Sequence, residues 1–348
     1  MSDLDYRFEL SNNQEEHAQD LARKTLFVNL LDPMNVMATE DYVGKLRKSG
    51  ITAENITVGN PWKDDLKEML CKTANWQRYI QDRSDAMIFV RTVEDIAKSK
   101  KEGKIGYIFG LQNLNMIDAT SQNFMNDLGV LAMLYQIGLR IIGPVYQNRN
   151  LLGNGCGEAK DEGLSKLGVS AVEEMNRVGI VVDLSHAGMR TALDVIETSK
   201  YPVVFSHSGV AALMKNVRNV SDEVVKAMAE KGGVIGLVAK GNFLRNVRAT
   251  LDDYLDSIDY IAKMVGVDSI GMGFDLYPLT PKEFDQDFKR HFPEVDAWYK
   301  YDTSLVGLEH PEKWPNVVRG LVARGYSDAD IRKITGENAL RVFKKIWK

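Results

Sequence analysis

Short β-branched or apolar runs alternate with longer amphipathic stretches from about residue 24 to residue 274, the pattern of β/α units that feed a parallel sheet. Strands are predicted at TLFVNLL (25–31), ITAENITV (51–58), AMIFVR (86–91), KIGYIFGLQ (104–112), LRIIGPVY (139–146), GIVVDLSH (179–186), YPVVFSH (201–207), GGVIGLV (232–238) and DSIGMGF (268–274). These nine candidates compete for the eight places of a (β/α)8 TIM barrel. AMIFVR is expected at the periphery, because it follows a helix starting near Asp64 without a strong turn signal.

The segments between strands carry helical spacing. SDEVVKAMAEKGG opens on Ser221 as an N-cap, has acids in its first turn and ends on Gly232. TLDDYLDSIDYIAKMVG lines Leu251, Leu255, Ile258 and Ala262 along one face. The stretch from Asp275 to about Lys313 is long, aromatic and charged, and reads as a loop after the last barrel strand that serves as a lid, an insert or an oligomer contact. Two C-terminal helices, SDADIRKIT and ENALRVFKKIW, close the chain, and one α/β barrel domain over residues 1–348 is expected.

Composition narrows the function. With 26% charged and 44% hydrophobic residues and a formal charge of −4, the chain has a core and no basic footprint for nucleic acid. The first twenty residues are polar and acidic, no run approaches the length of a membrane span, and two isolated cysteines, Cys71 and Cys156, make no disulfide framework. A soluble, cytoplasmic protein acting on a small molecule is expected.

In a parallel barrel the chemistry gathers at the C-terminal strand ends. His186 ends one predicted strand and His207 the next, and the chain has only five histidines. Adjacent strands lie about 4.8 Å apart, so two inward imidazoles at equal height can share one ion with bonds of about 2.0–2.1 Å. A lone strand-end histidine more often just caps its strand; two at matched ends favour the metal. Ser185 and Ser206 precede them and could support the rings as hydrogen-bond partners, although serine is also common at strand ends. Asp275, led by the close-packing glycines 271 and 273, faces the same mouth as a ligand or a proton acceptor. Arg218, in the loop after the sixth strand, could clamp a substrate carboxylate.

The stretches EEMNRVGIVVDLSH, PVVFSHSGVAAL, RNVSDEVVKAMAEKGGVIGLV, DSIGMGFD and WPNVVRGLVARGYSDADIRKITGENALRVF carry a resemblance. In order and spacing, over roughly residues 160–345, the chain resembles the membrane (renal) dipeptidase family of zinc peptidases, within the metal-dependent amidohydrolase type of barrel. The resemblance implies that His186 and His207 are metal ligands, that Arg218 binds the substrate carboxylate and that Asp275 acts at the catalytic centre. It also implies metal-assisted attack of water on the amide of a small dipeptide-like substrate, and a homodimer.

The departures bear on the metal. The family's first strand ends in a His-x-Asp pair, where this chain has Asn29, Leu30 and Leu31, with Asp32 the one carboxylate at hand. The bridging glutamate is replaced by Gln112 or its neighbour Asn113, and a further histidine by Tyr146. One divalent ion, zinc before others, is therefore expected rather than two. Gln112 and Asn113 become candidate substrate-binding amides, and Tyr146 joins Asp275 and His207 as a candidate catalytic group. The glycine-rich loop NLLGNGCGE offers Cys156 as a third metal ligand, or as a nucleophile if its pKa were lowered, and Glu158 beside it. A lyase, an isomerase or a metal-free enzyme on the same barrel, or a binding protein without catalysis, are the competing readings.

Overall fold

The computed structural model describes residues 6–33, 40–61, 64–118, 128–245, 248–276 and 305–348. Eleven strands occur among them: β1 (Val28–Asp32), β2 (Ala53–Thr57), β3 (Met87–Phe89), β4 (Ile105–Leu111), β5 (Leu139–Ile142), β6 (Val181–Val182), β7 (Val204–Ser208), β8 (Val234–Leu237), β9 (Ala249–Thr250), β10 (Ile270–Met272) and β11 (Leu305–Val306). Eight run parallel in the order β6-β5-β4-β2-β1-β10-β8-β7. A bridge between Asp183 and Val204, with the Leu184 amide donating to the Val204 carbonyl at 2.7 Å, joins β6 to β7 and closes the ring. The fold is the (β/α)8 barrel that the sequence pattern predicts.

β3 is the peripheral strand. It pairs with Ile105–Tyr107 of β4, whereas β5 takes Phe109–Leu111. β5 is shorter than its apolar run suggests, because Pro144 has no N–H to continue the ladder.

Alternation along the strands sorts two cores. Val28, Leu30, Ala53, Ile108, Ile141, Val181, Val204 and Val234 form one buried cluster inside the barrel, together with Leu340, Phe343 and Ile346 of the helix Asn338–Ile346. That helix closes the N-terminal end of the barrel, where Asn338 donates to the carbonyls of Val267 and Ile270 at 2.7 and 2.9 Å. Ile56, Phe109, Ile142, Phe205, Ile235 and Met272 face outward into a shell packed by the surrounding helices. With its lower end plugged, the barrel leaves the strand C-termini as the end at which a site can form.

The helix Asp222–Glu230 begins after Ser221 and the helix Leu251–Val265 after Thr250, as their start signals predict. SDADIRKIT and ENALRVFKKIW form a continuous run, Asp328–Arg332 and Asn338–Ile346 joined by the π-helical turn Lys333–Glu337, and Pro315–Ala323 precedes them. Most of the expected loop 275–313 lies outside the described residues; its end, β11, pairs with β9. No helix among the described residues is long and apolar enough to cross a membrane.

Candidate active site

The two histidines meet. His186 Nε2 and His207 Nε2 lie 2.9 Å apart, with ring centroids at 4.9 Å, and both residues are buried. Simple alternation does not put them there. Val204 faces the lumen, so a regular β7 would turn Ser206 in and His207 out. Between the pairs Phe205↔Ile235 and Ser208↔Leu237, however, β7 spends three steps against two on β8. This bulge lets Ser206 and His207 both face the barrel. Room for it comes from neighbouring glycines: a Cβ on Gly236 or Gly273 would sit 2.2 or 1.8 Å from the Ser206 carbonyl oxygen. His186 reaches its position through a left-handed backbone at φ 73°, and Asp275 does so at φ 52°. Those are the positive-φ residues other than glycine among the described residues, and such strain gathers at functional sites.

A hydrogen-bond relay fixes the proton on His207. Asp183 accepts from the backbone amides of Ser185 at 3.0 Å and Ser206 at 2.8 Å, and from the Ser206 hydroxyl at 2.5 Å. With its own proton committed to Asp183, Ser206 Oγ accepts from His207 Nδ1 at 2.7 Å. The second nitrogen, Nε2, is then an unprotonated donor of electrons. Ser185 Oγ completes the set, accepting from the His207 amide at 2.9 Å while 3.2 Å from Ser206 Oγ. Burial, reinforced by the Arg218 guanidinium and the Lys240 ammonium, holds both imidazoles well below the usual histidine range. Both rings are neutral at pH 7, the form that binds a metal ion.

Sequence reasoning offered the two serines; Asp183 it missed. The signal available was the spacing of DLSH on a strand end.

Tyr146 stacks on His186, centroids 3.9 Å apart and planes within 24°. Arg218 is buried over the Phe243 ring at 5.8 Å and donates to the His207 carbonyl at 3.3 Å. Asp275 follows β10 and pairs with Lys240, a buried lysine that the sequence reading passed over. Alternation from lumen-facing Val234 would have found it, since Gly236, Val238 and Lys240 follow on the same face. Cys156 docks its loop by donating its amide to the His186 carbonyl at 2.7 Å, and its thiol lies 2.9 Å from Gln147 Oε1. Burial pushes that thiol up to about 11 against the pull of Arg218, so it stays protonated rather than becoming a thiolate. Glu158 accepts from the Arg149 amide at 2.7 Å, within its own loop. Gln112 donates to Thr57 Oγ1 at 2.8 Å, and Asn113 spends its amide on the Pro61 carbonyl and the Asn115 amide.

The first strand departs most from a metal-binding arrangement. Asn29 faces outward, donating to Glu54 Oε2 at 2.6 Å and accepting from the Phe274 amide at 2.9 Å. A bulge between Asn29↔Glu54 and Asp32↔Ile56 then inserts one extra residue in β1. Asp32 accepts from the Tyr42 hydroxyl at 3.1 Å, and its charge acts on Glu54. Burial first, and the Asp32 charge second, hold the Glu54 carboxyl well above the usual range. A pKa raised in the folded state favours folding below about pH 4.5 and costs stability as pH rises through it. Glu54→Gln is accordingly expected to stabilise the protein by on the order of 1 kcal/mol at pH 8 and to give little or nothing at pH 4.5. Melting curves at the two pH values check this.

A profile of the membrane dipeptidase family (peptidase family M19) matches residues 23–292 and 298–348. The chain belongs to this family. It is 31% identical over 292 residues to an uncharacterized dipeptidase of Schizosaccharomyces pombe, covering 81% of this chain and 61% of that one. The dipeptidase tcpJ of Claviceps purpurea is 30% identical over 275 residues, covering 78% and 58%. The chain thus spans about three fifths of the length of these curated relatives. Among solved structures, an amidohydrolase from Pseudomonas aeruginosa is 32% identical and superposes with a TM-score of 0.84, covering 95% of this chain and 99% of that one.

Membership of the membrane dipeptidase family implies a divalent metal, and the residues can be tested for fit. Two Nε2 atoms bonded to one ion at about 2.05 Å in tetrahedral geometry would stand about 3.3 Å apart. The observed 2.9 Å needs an opening of a few tenths of an ångström. His207 presents a bare Nε2, and His186, which donates to it from Nε2, fits the same ion once that proton moves to its Nδ1. No group of three or more His, Cys, Asp and Glu among the described residues is arranged to hold an ion.

Proposed function

We propose that the protein is a metal-dependent hydrolase of dipeptide-like or other small carboxylate-bearing amides, working with one divalent ion, zinc before others. The observation that carries this reading is the pair of buried, neutral imidazoles whose Nε2 atoms converge at the barrel mouth. When bound, the ion would polarise the amide carbonyl and lower the pKa of water. The chain's own groups have separable tasks. His186 and His207 hold the ion, with the His207 tautomer set by Ser206 and Asp183. Tyr146 fixes the His186 ring by stacking. Asp275, paired with Lys240, accepts the proton that water releases and returns one to the departing amine. Arg218 binds the substrate carboxylate; its buried guanidinium reaches the His207 carbonyl and the Cys156 thiol and keeps further donors for a bidentate contact. Cys156 is assigned to the loop rather than to the metal, because its thiol is turned to Gln147 Oε1 at 2.9 Å and its amide docks the loop on the His186 carbonyl.

The test is hydrolysis of a dipeptide panel by the purified chain, with bound metal counted in parallel. Activity on carboxylate-bearing substrates that disappears on chelation and returns with about one equivalent of zinc supports the reading. Full turnover after exhaustive chelation would sink it in favour of a metal-free reaction. Arg218→Met is expected to raise KM for a free dipeptide by about a hundredfold, and to leave the amide-capped dipeptide as poor a substrate as before.

A further inference from the structure

Lys240 lies where β8 opens into the barrel mouth, two residues beyond the lumen-facing Val238. Its ammonium is paired with Asp275 Oδ2, and the two side chains are only 8% and 11% exposed. The partners come from adjacent strands, held in register by Gly236↔Gly271 and Leu237↔Met272. Asp275 is pinned by its own amide, which donates to the Leu31 carbonyl at 3.1 Å, and by its left-handed backbone. A carboxylate at the same barrel mouth as two converging imidazoles would ordinarily be drawn in as a third metal ligand, yet Asp275 forms no three-residue ligand group with them among the described residues. Here an ammonium is already on it.

Among the described residues, the half of the mouth where a second ion's ligands would stand holds no ligand set. Asn29 is turned into the wall, Gln112 is bonded to Thr57, and Tyr146 covers His186. Positive charge is present nonetheless, in two buried side chains, Arg218 and Lys240.

We propose that Lys240 is a built-in second cation: it stands in for the charge of a second metal ion and keeps the Asp275 carboxylate off the first. Lys240 is on this account a positioning residue acting through Asp275, and the inference rests on the one-ion reading above. Asp275 keeps a counter-charge that, unlike a metal ion, cannot dissociate from the chain. The competing role is a staple between β8 and β10 with no bearing on the metal.

Zinc affinity separates the two. Metal is stripped from the full chain, and zinc is titrated back against a chromophoric chelator, for the parent, Lys240→Met, Lys240→Arg and Asp275→Asn. The parent is expected to take one ion. Lys240→Met should bind zinc at least about tenfold more tightly, since a like charge is removed and Asp275 is released to ligate. Lys240→Arg should keep the parent affinity. Asp275→Asn removes no ligand but leaves the ammonium without its counter-charge, so it should bind zinc more weakly by less than about tenfold, a readout that holds even if Lys240→Met fails to fold. Unchanged or weaker binding by a folded Lys240→Met, or a loss of tenfold or more in Asp275→Asn, overturns the inference and leaves the one-ion reading standing. Zinc taken up by Lys240→Met but not by the parent overturns the one-ion reading and supports Lys240 as the ion's replacement. Two ions in the parent, or none in either protein, overturns both.

Discussion

In a His207→Ala variant, zinc uptake is expected to disappear and turnover to fall by about a thousandfold or more. Among the described residues two imidazoles converge at the mouth, so removing one leaves a single one of them for the ion. His207 is the cleaner choice of the two. At φ 73°, alanine in place of His186 would be strained whatever it did to the metal, whereas His207 lies in a β-bulge with ordinary backbone. A cavity forms beside Arg218 and Lys240, but two buried like charges lose a neutral neighbour rather than a counterion, so the fold should survive. Metal analysis on protein with an unchanged melting profile makes the measurement. Retention of one tightly bound zinc by His207→Ala would remove the histidine pair from the metal site.

The barrel was legible in the chain because eight short apolar runs recur at β/α spacing, and because the weakest of nine candidates, AMIFVR, lacks the turn that would bring it into the ring. The histidine pair was legible for a related reason: strand ends share one mouth. What could not be read was the effect of the bulges. A one-residue insertion reverses which face a side chain takes, and no residue type in VNLLD or VFSHS announces it. So Asp32, a plausible mouth carboxylate by position, lies against Tyr42 and Glu54, while His207 faces in where alternation alone would turn it out. Lys240 and Glu54 were missed for a different reason. A charged residue at a strand end or within a strand reads as solvated unless the alternation is carried through it, and the partners that let these two be buried, Asp275 and Asn29, come from other strands.

The second large effect is expected at a residue that touches no ion. Asp183→Asn should weaken zinc binding by about ten- to a hundredfold while leaving the carbon skeleton of the site unchanged. The carboxylate can only accept, and that compels the Ser206 hydroxyl to donate toward it and to accept from His207 Nδ1. Asparagine can instead present its NH2 to Ser206 Oγ. The hydroxyl proton then turns to His207 Nδ1, the ring proton moves to Nε2, and the atom that should face the ion no longer has a free pair. Ser206→Ala cuts the same relay without reversing it, so its loss should be the smaller of the two. The order distinguishes tautomer control from general loosening of the site. Loosening predicts that the truncation, which opens a cavity beside the ring and also frees Ser185 Oγ, does more damage than the isosteric change. Zinc titrations on the two variants decide it: affinity lower in Ser206→Ala than in Asp183→Asn, or unchanged in Asp183→Asn, would mean that the relay does not set the His207 proton.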